Sequence, residues 1–220
     1  QGTGVDHIAF SVADLAAKMT ELETVGVGGQ GVRLQRFEDG ATFHEIPGLF
    51  KSGFVFDPWG TSIELVEDPE LAGFHHVHLS SADPAATLAW YQAAFGGEPG
   101  RLKGQLDGLQ FGSRWLLVAK HEVSTPAPTQ GRAVDHLGFA VTDINTQMEQ
   151  LQRSGADIQQ TPGIPAAARS SSQRAFVLGP DKVRVAVAET GWAGLLTEQV
   201  SVAASSAAQT PYEAPLTPWG

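Results

Sequence analysis

The sequence predicts an α+β fold assembled from three successive βαβββ units. Two observations carry this prediction. A short apolar segment that contains a histidine recurs three times, at residues 5–12, 74–80 and 134–141. Each copy is followed by one helical pattern and then by short strand patterns separated by tight turns. The recurring segment is therefore predicted to be the first strand of each unit.

A helix is predicted after each first strand. A short carboxylate precedes each helical pattern and can accept hydrogen bonds from the free N–H groups of the first turn, and a glycine that can end the helix follows it. The expected N-caps are Asp14, Asp83 and Asp143, and the expected C-terminal glycines are Gly26, Gly96 and Gly155.

A hairpin closes each unit. Its two strands flank tight turns at residues 57–60, 112–113 and 179–182, where glycine, proline, serine and aspartate are concentrated. One further strand after each helix gives units at about residues 3–67, 73–120 and 133–190. Residues 191–220 contain Pro211, Pro215 and Pro218 and few charges, and we expect them to form an irregular tail.

Composition excludes several classes of function. The chain has 220 residues, with 14 basic and 24 acidic side chains and a formal net charge of −10. Such a chain is not expected to bind nucleic acid or an anionic membrane surface, and no apolar run reaches the ~18–20 residues that span a bilayer. Cysteine is absent, so disulfides, thiolate nucleophiles and cysteine-ligated zinc are excluded. Any metal ligand must be a histidine or a carboxylate.

The tandem units resemble the vicinal oxygen chelate superfamily, which includes glyoxalase I, extradiol dioxygenases and bleomycin-binding proteins. The resemblance lies in the DHIAF-type and HHVHL-type first strands and in the DPWGTSIELVE-type last hairpin, and it covers about residues 3–190. It implies that two units pair into one cup-shaped antiparallel sheet. It also implies a divalent metal in the cup, held by histidines of the first strands and glutamates of the last strands, that chelates vicinal oxygens of a small substrate.

The first unit carries a complete half-site by this resemblance. His7 matches the first-strand ligand and Glu64 the last-strand ligand, with Glu64 also a candidate proton shuttle. Residues 1–69 would then be half of a domain, whose partner is either a unit upstream of Gln1 or the same unit of a second copy in a homodimer. Because the chain does not begin with methionine, we expect an upstream segment to have been removed, and a soluble protein that is cytoplasmic or exported after processing.

Residues 73–190 are expected to form a complete two-unit domain with a second, weaker site. His76 and His136 match the first-strand position, whereas the last-strand positions align with Leu116 and Ala186, so the carboxylate is missing. His78 is a candidate third ligand, because strand alternation directs it to the same face as His76. The same alternation directs His75 to the opposite face.

Three functions remain open from the sequence. The first is a metal-dependent lyase, isomerase or dioxygenase that acts on a small substrate with vicinal oxygens and uses Zn, Fe, Mn or Ni. The alternative is a metal-free protein that sequesters a small apolar or aromatic molecule, with Phe111 and Trp115 as candidate stacking residues. A third possibility is a structural scaffold whose sites have decayed.

Overall fold

The computed structural model describes residues 2–27, 31–121, 126–159 and 174–191. Within these ranges the predicted α+β fold is confirmed: three helices accompany a nine-stranded and a four-stranded sheet. The expected tail at residues 192–220 lies outside the described ranges. None of the helices in those ranges is long and apolar enough to cross a membrane.

Each unit contains one helix and at least four strands. Unit one consists of β1 (Val5–Ser11), α1 (Leu15–Val27), β2 (Arg33–Leu34), β3 (His44–Glu45), β4 (Lys51–Phe56) and β5 (Ser62–Glu67). Unit two consists of β6 (Gly73–Ser81), α2 (Pro84–Phe95), β7 (Glu98–Leu102), β8 (Leu106–Phe111) and β9 (Arg114–Lys120). Unit three consists of β10 (Leu137–Val141), α3 (Ile144–Arg153), β11 (Asp157–Gln159), β12 (Arg174–Leu178) and β13 (Arg184–Glu189).

The helix ends follow the sequence signals with one exception. The side chains of Asp14, Asp83 and Asp143 accept hydrogen bonds from first-turn N–H groups, at 2.9, 3.0 and 2.9 Å. Gly26 does not end α1, which continues to Val27. A Cβ atom at Gly26 would lie 2.7 Å from the carbonyl oxygen of Val32, so this glycine permits a close backbone approach instead.

Units one and two share the nine-stranded sheet, whereas the sequence analysis expected units two and three to pair. The strand order is β2-β4-β5-β1-β6-β9-β8-β7, with β3 paired to β4, and β1 and β6 are antiparallel neighbours. Unit one at residues 1–69 thus finds its partner within the same chain. The homodimer was expected because unit one lacked a partner, and the β1–β6 pairing removes that reason.

The short connection between β5 and β6 explains this pairing. It passes the end of β1, where the Ser11 hydroxyl donates to the Asp68 carbonyl oxygen at 2.8 Å and accepts from the Asp68 N–H at 3.1 Å. As a result, β6 begins next to the free edge of β1 and pairs with it. Exposed strand edges carry unpaired N–H and C=O groups, so hydrogen bonding there is favourable.

The two faces of the shared sheet differ. On the helix face, Leu15 and Met19 of α1 pack against Val55 and Leu65. Side chains alternate along a strand, so Glu64 and its cross-strand neighbours lie on the opposite face, which we call the cup face.

Unit three forms its own sheet, in the order β10-β13-β12-β11. It packs against unit two through one apolar core that includes Tyr91, Leu116, Leu137 and Val185, each at most 8% exposed. The rings of Phe95 and Phe139 stack across this contact with centroids 4.2 Å apart. Residues 73–190 are therefore joined by packing in the described part of the chain and not by a common sheet.

Candidate metal centre

Three neighbouring strands bring His7, Glu64 and His76 together on the cup face. Ala9 at the centre of β1 is paired with Glu64 on β5 and with His76 on β6. His7 lies two residues before Ala9 and so points to the same face. The first-strand and last-strand positions that the sequence analysis singled out in unit one thus meet the first-strand histidine of unit two.

The ligand atoms of these three side chains converge. Glu64 Oε2 lies 3.2 Å from His7 Nε2 and 3.1 Å from His76 Nε2, and the two Nε2 atoms are 3.2 Å apart. The three residues are 6%, 6% and 1% exposed. His78 adjoins them, since a ring nitrogen from each of the three histidines lies within 4.8 Å of the others.

The Glu64 carboxylate is buried among imidazole rings, and this arrangement shifts the pKa values of the cluster. Burial would lower the pKa of His7, but the Asp6 and Glu64 carboxylates raise it to about 9. Burial would raise the pKa of Glu64, but the neighbouring rings of His7 and His76 bring it well below its usual range. Burial lowers the pKa of His78 to about 4, and the neighbouring His7 and His76 contribute to this shift. In the metal-free protein His7 is therefore protonated at neutral pH, while Glu64 is ionised and His78 neutral.

Two polar side chains orient His7 and Glu64 through hydrogen bonds. His7 Nδ1–H donates to Asp6 Oδ1 at 2.6 Å, which fixes the ring orientation. The Ser52 hydroxyl donates to Glu64 Oε1. Ser52 was not predicted from the sequence. Its place in the site follows from the strand register, because β4 pairs it with Val66, two residues after Glu64 and on the same face.

A β-bulge places His75 beside His76, contrary to the expected alternation. The register of β1 and β6 shifts between Ala9 and Phe10, which pair with His76 and Phe74, so His75 is left without a cross-strand partner. The two Nδ1 atoms of His75 and His76 are consequently 2.8 Å apart. A local irregularity of this kind cannot be read from a period-two pattern.

A chain of polar contacts continues from this bulge to Asp68, which lies between the predicted bounds of units one and two. His75 is 0% exposed, and its Nε2 lies 3.3 Å from Asp68 Oδ2. Burial would raise the pKa of Asp68, but hydrogen bonds from the Glu70 N–H and the Lys103 ammonium lower it. Burial lowers the pKa of both His75 and His76. Two neutral rings thus lie between two ionised carboxylates.

The protons along this chain of contacts are compatible with a cation beside Glu64. The contacts Glu64–His76, His76–His75 and His75–Asp68 need three N–H groups, but two neutral imidazoles supply only two. When His75 donates to Asp68 and His76 donates to His75, the lone pair of His76 Nε2 faces the Glu64 carboxylate. A divalent ion satisfies both groups, because imidazole nitrogen and carboxylate oxygen are its usual ligands.

His136 has different neighbours. Its Nδ1 contacts Asp135 at 2.8 Å and its ring packs edge-on against Phe176, with centroids 5.3 Å apart. Among the described residues it is not a member of the cluster formed by His7, His76 and His78. The expected grouping of His136 with His76 and His78 in a second cup is therefore not what the structure brings together.

The strand register also fixes the last-strand positions. Gly138 pairs with Ala186 as Ala9 pairs with Glu64, in agreement with the sequence alignment. In unit two the corresponding residue is Leu117, which pairs with His78, and not Leu116. The sequence alignment there was one residue off because the turn between β8 and β9 is shorter than the other last-hairpin turns.

A separate apolar cavity of about 730 Å³ lies between unit three and the helix face of the shared sheet. Ile8 and Val77 line it, and alternation directs them away from their neighbours His7 and His76. The remaining lining residues include Phe111, Arg114, Trp115, His136, Gly138 and Phe139. Phe111 and His136 thus meet at this cavity, whereas the ring of the other candidate stacking residue, Trp115, packs on the cup face with Leu102 and Leu117.

Comparisons with known proteins support the fold, and the family match covers units two and three. The family model described as Glyoxalase/Bleomycin resistance protein/Dioxygenase superfamily matches residues 73–187. Glyoxalase I from Zea mays is similar in structure, with a TM-score of 0.59, 17% identity and coverage of 94% of this chain and 73% of that chain. A mutant of the same maize enzyme gives a TM-score of 0.59, 18% identity and coverage of 86% and 68%. At these low sequence identities, the structural similarity shows that the fold is shared and nothing more. No curated protein matches the sequence significantly.

Proposed function

Since the chain belongs to the Glyoxalase/Bleomycin resistance protein/Dioxygenase superfamily, we propose that His7, Glu64 and His76 bind a divalent transition-metal ion. The protein would then be a metal-dependent lyase, isomerase or dioxygenase for a small substrate with vicinal oxygens. The observation that carries this proposal is the convergence of three ligand atoms from three strands within 3.2 Å at a buried point.

The residues around the cluster have distinct roles in this proposal. A bound divalent ion supplies Lewis-acid polarisation of two neighbouring substrate oxygens. Ser52 and Asp6 keep Glu64 and His7 in their binding orientations. Glu64 is ionised at neutral pH and is placed to accept a proton from a polarised substrate and to return it to a neighbouring atom.

A cleft of about 120 Å³ borders this cluster at His7. Its lining includes Asp6, His7, Trp59, Thr61 and Arg132. The volume suits a small substrate better than a large one. Trp59 is 67% exposed at the rim and is available to cover a bound molecule.

Elemental analysis of the untagged protein tests the metal site. We expect one divalent ion per chain in the wild type and loss of that ion in His7→Ala, because His7 is a direct ligand. His136→Ala is the matched control, since Asp135–His136 repeats the sequence and hydrogen bonding of Asp6–His7 but lies outside the cluster. Metal that survives His7→Ala and disappears in His136→Ala would contradict the assignment.

We propose a second, compatible function for the cavity on the helix face, namely binding of a flat apolar molecule without catalysis. Its volume of about 730 Å³ falls within the ~300–1,000 Å³ of typical small-molecule sites. Phe111 and Phe139 contribute ring surfaces, and Arg114 contributes a positive charge that favours a ligand with an acidic group.

Filling this cavity tests the second function. Gly138 lies in the lining of the cavity, and a Cβ atom there would meet no atom within 4 Å, so Gly138→Phe adds a ring at the cavity without a backbone clash. We expect it to weaken binding of the aromatic sulfonate 1-anilinonaphthalene-8-sulfonate at least about tenfold, equivalent to ~1.4 kcal/mol, as measured by fluorescence titration. Gly138→Ala serves as the control and should bind as the wild type does. Equal binding by Gly138→Phe would show that the probe binds elsewhere.

A further inference from the structure

We infer that His78 supplies a fourth metal ligand and replaces a carboxylate that unit two lacks at Leu117. This inference rests on the proposed metal site of His7, Glu64 and His76. It concerns the composition of that site and the metals it prefers.

The pairing of β1 with β6 creates a local two-fold relationship between units one and two. His7 pairs with His78, and Ala9 pairs with His76. The local two-fold axis therefore relates the position of His7 on β1 to that of His76 on β6, and the position of Ala9 to that of His78. Each central residue also has a partner on the last strand of its own unit: Ala9 pairs with Glu64, and His78 pairs with Leu117.

The symmetric arrangement would contain two histidines and two last-strand carboxylates, but one of the carboxylate positions is apolar. Leu117 is 0% exposed and packs in a cluster with Phe50, Val66 and Leu102. A leucine side chain has no electron pair to donate to a metal. The unit-two side of the ion would therefore have a single ligand, His76, unless another side chain reaches it.

His78 is the side chain that reaches this position. It occupies the place of the small residue Ala9 in the two-fold relationship, and its ring centroid lies 4.9 Å from that of His7 and 5.9 Å from that of His76. One of its ring nitrogens lies within 4.8 Å of a ring nitrogen of each of these two histidines. Strand alternation places it on the cup face with His76.

The resulting ligand set has three imidazole nitrogens and one carboxylate oxygen. It carries one negative charge, whereas a set with two carboxylates carries two. Imidazole ligands favour Zn²⁺, Ni²⁺ and Co²⁺, and carboxylate ligands favour Mn²⁺ and Mg²⁺. The replacement of a carboxylate by His78 thus directs the site toward the nitrogen-preferring metals.

Metal titration of the full chain tests this inference. Loss of a residue that only hydrogen-bonds to a metal ligand lowers metal affinity ~10–100-fold. We expect His78→Ala, which removes a direct ligand, to lower the affinity for Zn²⁺ by at least this factor. It should also alter the visible absorption spectrum of the Co²⁺ form. His44→Ala is the control, because His44 is exposed and contacts Asp39 and Phe37, away from the cluster.

A double variant provides the converse measurement. His78→Ala with Leu117→Glu places a carboxylate at the two-fold equivalent of Glu64, and we expect it to recover binding and to shift the preference from Zn²⁺ toward Mn²⁺. If the buried glutamate prevents folding, the single His78→Ala variant still decides the question. Unchanged Zn²⁺ affinity and an unchanged Co²⁺ spectrum in His78→Ala would overturn the inference.

The outcomes separate this inference from the proposed function. If His7→Ala abolishes Zn²⁺ binding but His78→Ala does not, the metal site stands and the fourth ligand is wrong. If the wild type binds no Zn²⁺, Ni²⁺ or Co²⁺, the metal site itself is wrong. If both variants lose binding and His44→Ala does not, both proposals are supported.

Discussion

Replacement of Glu64 by Gln is expected to reduce the affinity for Zn²⁺ by at least ~100-fold, the upper end of what loss of an outer ligand partner costs. Glu64 is the sole carboxylate that contacts both His7 Nε2 and His76 Nε2 among the described residues. An amide oxygen keeps the shape of the side chain but removes the charge that offsets the dication. The substitution therefore tests charge and not packing.

The same substitution should change the titration of His7 in the metal-free protein. Glu64 is one of two carboxylates that raise the pKa of His7 to about 9, so this pKa should fall when the charge is removed. Isothermal titration with Zn²⁺ and an NMR titration of the histidine ring protons measure the two effects. Glu67→Gln is the control on the same strand, since Glu67 bonds Lys51 and the Leu15 N–H instead. Unaltered Zn²⁺ affinity in Glu64→Gln would exclude Glu64 as a ligand.

Tyr91→Ala is expected to lower the free energy of unfolding by ~3–5 kcal/mol, the usual cost of truncating a buried aromatic residue. Tyr91 is 0% exposed, and its ring contacts Trp90, Phe95 and Phe139. Because Phe139 belongs to unit three, the cavity left by this truncation would open at the contact between units two and three. The loss should therefore affect the attachment of unit three as well as unit two.

Urea denaturation followed by tryptophan fluorescence measures this effect. Tyr91→Phe is the matched control and should leave stability nearly unchanged, because the hydroxyl has no hydrogen-bond partner among the described residues. Trp59→Ala is a surface control, which should change stability by less than ~0.5 kcal/mol because Trp59 is 67% exposed. A denaturation curve for Tyr91→Ala that matches the wild type would show that this core does not hold the two units together.

The two proposed sites lie on opposite faces of the same pair of strands. His76 points to the cup face and the adjacent Val77 lines the cavity on the helix face, and His7 and Ile8 have the same relationship. Because adjacent residues of a strand serve different sites, each site can be altered by substitutions that do not touch the other. Gly138→Phe and His78→Ala exploit this separation.

The repeated units were predictable because their signals are local. Asp14, Asp83 and Asp143 cap their helices through contacts within a few residues, and the three first strands read as short apolar segments. The positions of His7 and Glu64 followed from a resemblance between short motifs. Helix caps, strand periods and tight turns depend on neighbouring residues, so a single sequence contains the information that they require.

The partner of each strand edge was not predictable in the same way. All three first strands offer similar free edges, and the choice of β6 as the neighbour of β1 depends on where the 68–72 connection delivers the chain. The bulge at His75 and the assignment of Leu117 likewise follow from the register between strands. Backbone hydrogen bonds between strands join residues that are far apart in the sequence. The sequence alone therefore indicated three βαβββ units and their candidate ligands, whereas tertiary strand pairing decided that units one and two together assemble His7, Glu64 and His76.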